Sequence, residues 1–452
     1  MKKLFMLFLI GFALNFQANS QEIVELTLEE ALNFTLENNV DVKNAQLETL
    51  ISKATIKETT ASGLPQITGS LDLNYNPAIP VVFLPNEPPF GDPSIPGDVI
   101  PARFGVSFQS SLGVNVRQMI FDGSFFVGLR AAKTYKELTD LDKIKTENDA
   151  IEAVKKAYFG VLVNQERIRL AEANLARIDT LLNETRALNE AGFAEKMDVS
   201  RIQVQRNNTF SQLERSRTAL EISEQILKLQ MGLPMEYDVL ITETLEELNP
   251  IEEINALLID EGRERVEVSQ LQTNIELVWL DLKNNQSQYM PTIDFVANGI
   301  RSGAGNSLGT VYDSQNWFGS SLLGVSMQIP IFDGLLKSAK IQRNRIQIQQ
   351  LENQRYFLNE SIKNEVYTAK ANLQNELNIL RVQRENLDLA KEVYDITKIK
   401  YQEGVGSNLE VVEADAALIE AEINYLTALY DGLVSKVDLE RALGILKNDL
   451  LN

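Results

Sequence analysis

The side chains that most often carry out chemistry in proteins are missing from this chain. Its 452 residues include no histidine and no cysteine. A Ser-His-Asp or Cys-His nucleophile therefore cannot be built, and the commonest metal ligands are absent as well. The remaining candidates are 63 carboxylates, which lie along predicted helix faces rather than in a cluster. The sequence therefore predicts a protein that is not an enzyme and that holds no cofactor or metal.

The charge balance excludes another class of function. Lysine and arginine number 43, so the formal net charge is −20. A chain this acidic repels the phosphate backbone of nucleic acids. We therefore expect no nucleic-acid partner, and any polyelectrolyte that binds should be cationic.

Two aspartates stand in the same tetrapeptide, Ile-Phe-Asp-Gly, at Ile120–Gly123 and Ile331–Gly334. Aspartate is a preferred N-cap residue, so Asp122 and Asp333 should each begin a long helix where a strand ends. The aromatic residues that precede them, placed where an interfacial aromatic would lie, are Phe121 and Phe332.

The tetrapeptide is one of several ordered matches within the chain. Gly192 and Gly404 are 212 residues apart, and so are Gly232 and Gly444. Repeats of this kind indicate a duplicated architecture. We expect two tandem copies, 21–245 and 246–452, with an insertion in the first.

Residues 1–20 have the pattern of a secretory signal peptide. Lys2 and Lys3 precede an apolar stretch that is too short to span a bilayer, and small residues follow it. The predicted protein is therefore exported, and without a cysteine it is not lipidated.

Each copy has the same predicted order of elements. The first has a helical stretch (27–62), strands at about 66–75 and 104–121, a long helix (122–188) and a return helix (195–231). The second has a helical stretch (251–288), strands at about 292–300 and 317–331, a long helix (333–402) and a return helix (407–446). The strands alternate apolar and polar residues, and a proline-rich segment between the first two predicts an irregular loop.

The long helices show heptad spacing, which is typical of coiled coils. At about 1.5 Å per residue each would extend roughly 100 Å. Four strands cannot close a membrane barrel, and an open strand edge is costly in lipid. Membrane strands would therefore require several chains to share one barrel, whereas alternation alone also fits a soluble sheet.

The order of elements and the stretch 401–446, which reads YQEGVGSNLEVVEADAALIEAEINYLTALYDGLVSKVDLERALGIL, resemble the TolC family of outer-membrane efflux proteins. The resemblance covers nearly all of 22–447. It implies a mainly α fold with transmembrane β-strands: a homotrimer whose 12-stranded β-barrel, four strands per chain, is continued by a long α-helical coiled-coil barrel. It places the protein in the outer membrane, extending into the periplasm.

The resemblance also assigns roles to residues at the far end of the helices. The turns at Gly192-Phe193 and Gly404-Val405 match tips that contact a periplasmic adaptor, although a tight turn needs glycine whatever touches it. Glu410 and Glu413 match paired acidic residues that ring the pore entrance, although such pairs are also common on solvated helix faces. The residues that match closed-state links between helix pairs are Tyr401 and Asp198.

One departure from the family pattern lies at Gly406, where the best-known member carries arginine, so a charged gate link is absent. The resemblance implies a passive exit channel for small molecules, coupled through the adaptor to an inner-membrane pump. The alternatives are the outer-membrane component of a type I protein secretion system and, in a different class, a periplasmic coiled-coil scaffold or adaptor.

Overall fold

The computed structural model describes residues 23–89, 91, 94, 96–245, 257–260 and 262–446. The expected signal peptide lies outside them. The described residues fall into two compact units. The sheet unit takes in Leu50–Leu138 and Gln272–Asn353, and the remaining described residues form the helical unit.

The elements follow in chain order. The strands are β1 Ile23–Leu26, β2 Gln66–Tyr75, β3 Val81–Pro85, β4 Val99–Arg103, β5 Phe108–Phe121, β6 Asp238–Ile241, β7 Thr292–Gly305 and β8 Trp317–Gln328. The helices are α1 Leu28–Asn38, α2 Val40–Ala61, α3 Gly123–Glu190, α4 Lys196–Met231, α5 Val266–Ser287, α6 Leu308–Tyr312, α7 Leu336–Gln402 and α8 Asn408–Leu443. No helix in these ranges is both long and apolar enough to cross a membrane.

The helical stretch expected at 27–62 is two helices. Thr27 and Glu30 form a capping box that starts α1. Asn39 then interrupts the helix, since its side-chain oxygen accepts the Asp41 N–H at 2.9 Å and its amide donates to the Gln230 carbonyl at 2.7 Å. The side chain thus caps α2 and ties the break to the end of α4.

The second copy's opening stretch, predicted as one helix over 251–288, is interrupted. Residues 257–259 are helical, residues 262–265 are not, and α5 spans Val266–Ser287, while 251–256 and 261 lie outside the described residues.

The proline-rich segment contains a hairpin and is therefore not wholly irregular, as had been expected. β3 and β4 pair antiparallel, and Pro85 and Pro101 are both strand residues. A two-stranded ribbon accepts proline because its outer edges need no N–H donor. The next strand accordingly begins at Phe108 rather than at 104.

The sheet unit is built on four antiparallel strands in the order β2-β5-β7-β8. In these strands β2 pairs only with β5, and β8 only with β7, so both outer edges are open. One face carries apolar rows such as Ile67, Val116, Ala297 and Leu323. The opposite face carries polar residues, among them the cross-strand neighbours Asp72 and Ser111, whose side chains hydrogen-bond at 3.2 Å.

The helical unit packs α3, α4 and α8 around a core that also includes β1 and β6, which pair in parallel. Its largest fully buried side chains include Ile151, Tyr158, Leu227 and Met231. α4 and α8 both end at a left-handed glycine, Gly232 (φ 76°) or Gly444 (φ 71°), as is common at helix C-termini.

Candidate functional site

The turns that join each long helix to its return helix are built alike. In the first, the Gly192 N–H donates to Asn189 O at 3.0 Å and the Phe193 N–H to Leu188 O at 2.8 Å. In the second, the Gly404 N–H donates to Tyr401 O at 3.1 Å and the Val405 N–H to Lys400 O at 3.0 Å. These bonds satisfy carbonyls left free at the helix ends.

Glycine is required in both turns by backbone conformation rather than by crowding. Gly192 has φ 83° and Gly404 has φ 76°, yet no atom lies within 4 Å of the position that a Cβ would take at either. The residues that follow are the most exposed apolar side chains of the turns, Phe193 at 84% and Val405 at 79%. Each turn therefore presents one uncovered apolar side chain.

The turns differ at their next position. A Cβ on Gly406 would lie 3.0 Å from the Tyr401 nitrogen, and the Gly406 N–H donates to Lys400 O at 3.0 Å. The first turn has Ala194 at this point, whose carbonyl accepts from the Asn189 side chain at 2.7 Å. The missing arginine at Gly406 thus has a steric reason: this turn leaves little room for a side chain.

Asp198 and Glu410 occupy equivalent places in the first turns of α4 and α8. The Asp198 carboxylate accepts the Glu195 N–H at 3.2 Å in a capping box. The Glu410 N–H instead donates to the Ser407 hydroxyl at 3.3 Å, which leaves its carboxylate uninvolved in the cap.

Glu410 and Glu413 lie on one exposed face of α8. Residues Val411 and Ala414, between and beside them, are buried on the opposite face. Negative side chains near a helix N-terminus interact favourably with its dipole. Glu410 lies in that first turn, and both carboxylates are open to solvent, as a cation-attracting site requires.

Tyr401 is the fourth predicted gate residue, and its contact lies within the chain. Its hydroxyl is 3.2 Å from that of Thr185, a fully buried residue of α3. Its ring packs against the apolar cluster formed by Ile178, Leu182 and their neighbours. Tyr401 thus ties the end of α7 to α3 close to the two turns.

The structure contains a buried cluster of charged side chains on α3 and α8 that was not predicted from the sequence. The Arg177 Nε donates to Asp415 Oδ1 at 2.9 Å, and the guanidinium lies 4.9 Å from the centroid of the Tyr394 ring. The Asp415 side chain is only 1% exposed. The cluster therefore joins α3, α7 and α8 through one arginine.

Glu422 extends this cluster by two helical turns. It accepts from the Asn174 amide at 2.7 Å, and both residues are buried. Burial raises the pKa of the Asp415 and Glu422 carboxyls despite the nearby Arg177, and it raises the pKa of Tyr394 to about 12. The sequence signal was present but ambiguous, because Asp415 and Glu422 are seven residues apart and share the packed stripe with Leu418.

A second ladder of ion pairs joins α3 to the end of α8. Lys155 and Glu440 pair at 2.8 Å with both side chains 5% exposed. Around them Lys156 pairs with Asp438 and Arg441 with Glu152, each at 2.5 Å. These contacts stabilise one register between the two helices.

The two strand-to-helix junctions differ. Asp122 accepts the Ser124 N–H at 2.7 Å and so caps α3, and Phe121 is partly buried. At the second junction the expected strand to 331 and helix from 333 are wrong, because β8 ends at Gln328 and α7 begins at Leu336.

The backbone at the second junction explains the delay. Leu335 has φ 69°, a left-handed conformation, immediately before α7. Asp333 still accepts the Lys337 N–H at 3.1 Å, so it supports the helix from three positions before its start. Phe332 is 80% exposed.

Comparisons with known proteins agree over most of the chain. Residues 31–233 and 265–445 match the family described as outer membrane efflux protein. The chain is 22% identical over 354 residues to "Outer membrane protein TolC" of Escherichia coli. The aligned region covers 76% of this chain and 71% of that protein. It is 22% identical over 366 residues to "Alkaline protease secretion protein AprF" of Pseudomonas aeruginosa, covering 76% and 73%.

A solved structure shows the fold. The open state of the MtrE outer membrane channel of Neisseria gonorrhoeae superposes with a TM-score of 0.71 at 18% identity, covering 94% of this chain and 90% of that one. The chain therefore shares the mainly helical fold of that channel.

Proposed function

Because residues 31–233 and 265–445 match its family, the chain belongs to the outer membrane efflux proteins, and we propose that it is the exit channel of a tripartite efflux system. The resemblance carried by residues 401–446 is thereby confirmed. The protein is a passive conduit in the outer membrane that extends into the periplasm. An inner-membrane pump supplies the energy, and a periplasmic adaptor connects the two.

The observation that carries this proposal is the pair of open sheet edges. β2 and β8 expose unpaired backbone groups, which lipid cannot satisfy. Pairing of β8 with β2 of the next copy satisfies them, and three copies close a barrel of twelve strands. The apolar sheet face then meets lipid and the polar face lines the lumen.

Exposed apolar side chains on the long helix α7 and on the return helix α4 support the same assembly. Apolar residues are left exposed along α7, including Val382 at 48% and Leu389 at 53%, and along α4, including Val204 at 59%. Two different uncovered faces on one chain suit head-to-tail contacts, which close into a ring. A coiled-coil barrel built from tandem copies 21–245 and 246–452 accounts for both faces and for the matching turns.

The helix tips are the entrance in this proposal. Three copies bring six carboxylates from Glu410 and Glu413 to one ring, which attracts cations. Tyr401 and Asp198 hold the helices around the entrance in its closed state. Phe193 and Val405, displayed by Gly192 and Gly404, contact the adaptor.

Planar-bilayer recording tests the channel and its entrance together. The purified protein should conduct, and the E410A/E413A double variant should show lower cation preference and weaker block by divalent cations. An E403A variant, also exposed but in the turn, serves as the charge control. A detergent-extracted protein that does not conduct would instead support a periplasmic scaffold. Unchanged selectivity in the double variant would refute the proposal that Glu410 and Glu413 form an acidic ring at the entrance.

Protein secretion is a second candidate, because one relative is named for alkaline protease secretion. Deletion of the gene followed by drug-sensitivity assays and by analysis of secreted proteins separates the two. Loss of drug resistance with unchanged secretion supports efflux, and the reverse result supports secretion.

A further inference from the structure

Two arginines in the four-stranded sheet have opposite environments. Arg117 shares the polar side of the sheet with Asp294, and the guanidinium and carboxylate pair at 2.7 Å. Arg301 is exposed and has no hydrogen bond or ion pair with any residue that the structure describes. The sheet therefore satisfies one of its arginines and leaves the other open.

The strand register puts Arg301 on the apolar face. Its cross-strand neighbours are Leu112 on β5 and Gly319 on β8, and Leu71 lies beyond Leu112 on β2. Leu71 is 73% exposed and Leu112 is 53% exposed, as expected for side chains that face lipid. Arg301 is thus a charged residue within an apolar row.

Arg301 lies toward the outer end of the sheet. The long helix α3 follows β5 at Phe121, so in the proposed channel this end of the sheet faces the periplasm, and Trp317 and Tyr75 mark the opposite end. Trp317 neighbours Gly303, two residues from Arg301 and so about 7 Å along the strand. A flexible arginine at this depth can place its guanidinium at the level of lipid headgroups.

Small residues form a trough beside this arginine. A Cβ on Gly319 would lie 3.9 Å from Arg301 Cγ, and no atom lies within 4 Å of a Cβ position at Gly299. The groove has a volume of about 440 Å³, and its wall includes Leu112, Val114, Gly299, Arg301, Gly319 and Ser321. An extended acyl chain fits such a groove, and the arginine stem lies along its edge.

We propose that Arg301 binds the phosphate of an anionic lipid in the outer half of the membrane, with an acyl chain in the adjoining trough. The proposal rests on the membrane-spanning role proposed above. A guanidinium facing lipid is costly unless an anion pairs with it, and it matches phosphate through two parallel hydrogen bonds. One copy per chain would give three sites around the barrel.

Matched lipids test this proposal. The purified channel is titrated with lipid A and with dephosphorylated lipid A that has the same acyl chains, and bound lipid is counted by native mass spectrometry. The unmodified protein should hold the phosphorylated lipid about tenfold more tightly. R301Q should lose this preference, and R301K should keep only part of it, because an ammonium supplies the charge without the paired hydrogen bonds.

Arg103 provides the control, since it is the other exposed arginine near the outer end and lies on β4, outside the four-stranded sheet. R103Q should retain the full preference. An R301Q variant that still prefers the phosphorylated lipid would overturn the proposal. Displacement of the lipid by millimolar inorganic phosphate would also overturn it, because it would indicate an adventitious ion only.

Conductance of the unmodified protein in the same preparation separates the two proposals. A conducting channel whose R301Q variant keeps the lipid preference refutes the lipid site alone. A protein that does not conduct refutes the channel itself, and the lipid site with it.

Discussion

The two long helices have nearly the same length, 68 and 67 residues, but very different surroundings. Within the helical unit, α3 buries residues along its whole course, including Ile151, Tyr158 and Ile178, whereas on α7 the buried residues are Ala369, Leu373 and Tyr394. Similar heptad patterns thus lead to one helix covered by its own chain and one left open. The pattern predicts that a helix has partners, but not which chain supplies them.

The same difference between α3 and α7 is seen where charged residues of α3 are compared with the equivalent positions of α7. Arg177 and Lys155 on α3 contact carboxylates of α8, whereas the residues 212 positions later, Leu389 and Tyr367 on α7, are exposed and apolar or aromatic. Contacts within the chain therefore use buried ion pairs, and the uncovered helix presents apolar side chains. We interpret the first as setting the register of each chain and the second as the surface for the next copy.

The largest expected effect comes from breaking the buried pair on the α3 side. D415L leaves Arg177 charged and without its main partner, and removing one member of a buried pair costs about 3 kcal/mol. The double variant R177M/D415L removes both charges and should lie within about 1 kcal/mol of the unmodified protein. Urea unfolding followed by helical circular dichroism measures both.

If D415L were no less stable than the double variant, the pair would not determine the packing of α3 against α8. The contrast between the two long helices would then rest on apolar burial alone.

A substitution on the α7 side should act on assembly instead. L389E places a charge on the exposed apolar stripe and should shift the purified protein from trimer to monomer by at least tenfold in the assembly equilibrium. Helical content should remain, because Leu389 is 53% exposed within its own chain. Size-exclusion chromatography with light scattering in detergent gives the ratio.

K391E is the matched control. Lys391 is exposed on the side of α7 away from Leu389, and this change alters the charge by two units rather than one. It should leave the trimer intact. Equal dissociation by both variants would mean that net charge, and not the apolar stripe, governs assembly.

Much of the fold could be read from residue spacing, because strand alternation and helix spacing report which face is covered. The alternation in β2 was enough to assign its two faces, and glycine located both helix turns. The break at Asn39 was missed since it depends on a bond to Gln230, which is 191 residues away. The β3–β4 hairpin was missed because prolines normally argue against strands.

The candidate site was harder to predict for a related reason. A carboxylate on a long helix has the same sequence signature whether it faces water, as Glu413 does, or a buried arginine, as Asp415 does. Only the partner helix distinguishes the two, and that partner lies more than 200 residues away. The exposed pair was found through family resemblance, and the buried pair required the structure.

The smallest expected effect concerns Glu422, whose protonation should make the α3–α8 contact depend on pH. Its neighbours are Asn174, which donates a hydrogen bond to it, Arg177 at 4.0 Å, and the more distant Asp415 and Arg169. Burial raises the pKa of Glu422 above its ordinary value of 4.5. Its contribution to stability is therefore fully present below that value and is lost as the pH rises through the folded-state pKa.

E422Q keeps a neutral side chain of the same shape and removes this dependence. Amide hydrogen exchange of α8 should show equal protection in both proteins at pH 4, and greater protection in E422Q at pH 7.5 after correction for intrinsic exchange. E420Q is the control, because Glu420 is exposed on the same helix and its change should leave protection equal at both values. A protection difference that is the same at both pH values would mean that Glu422 stays in one protonation state, and the α3–α8 contact would then be insensitive to protons in this range.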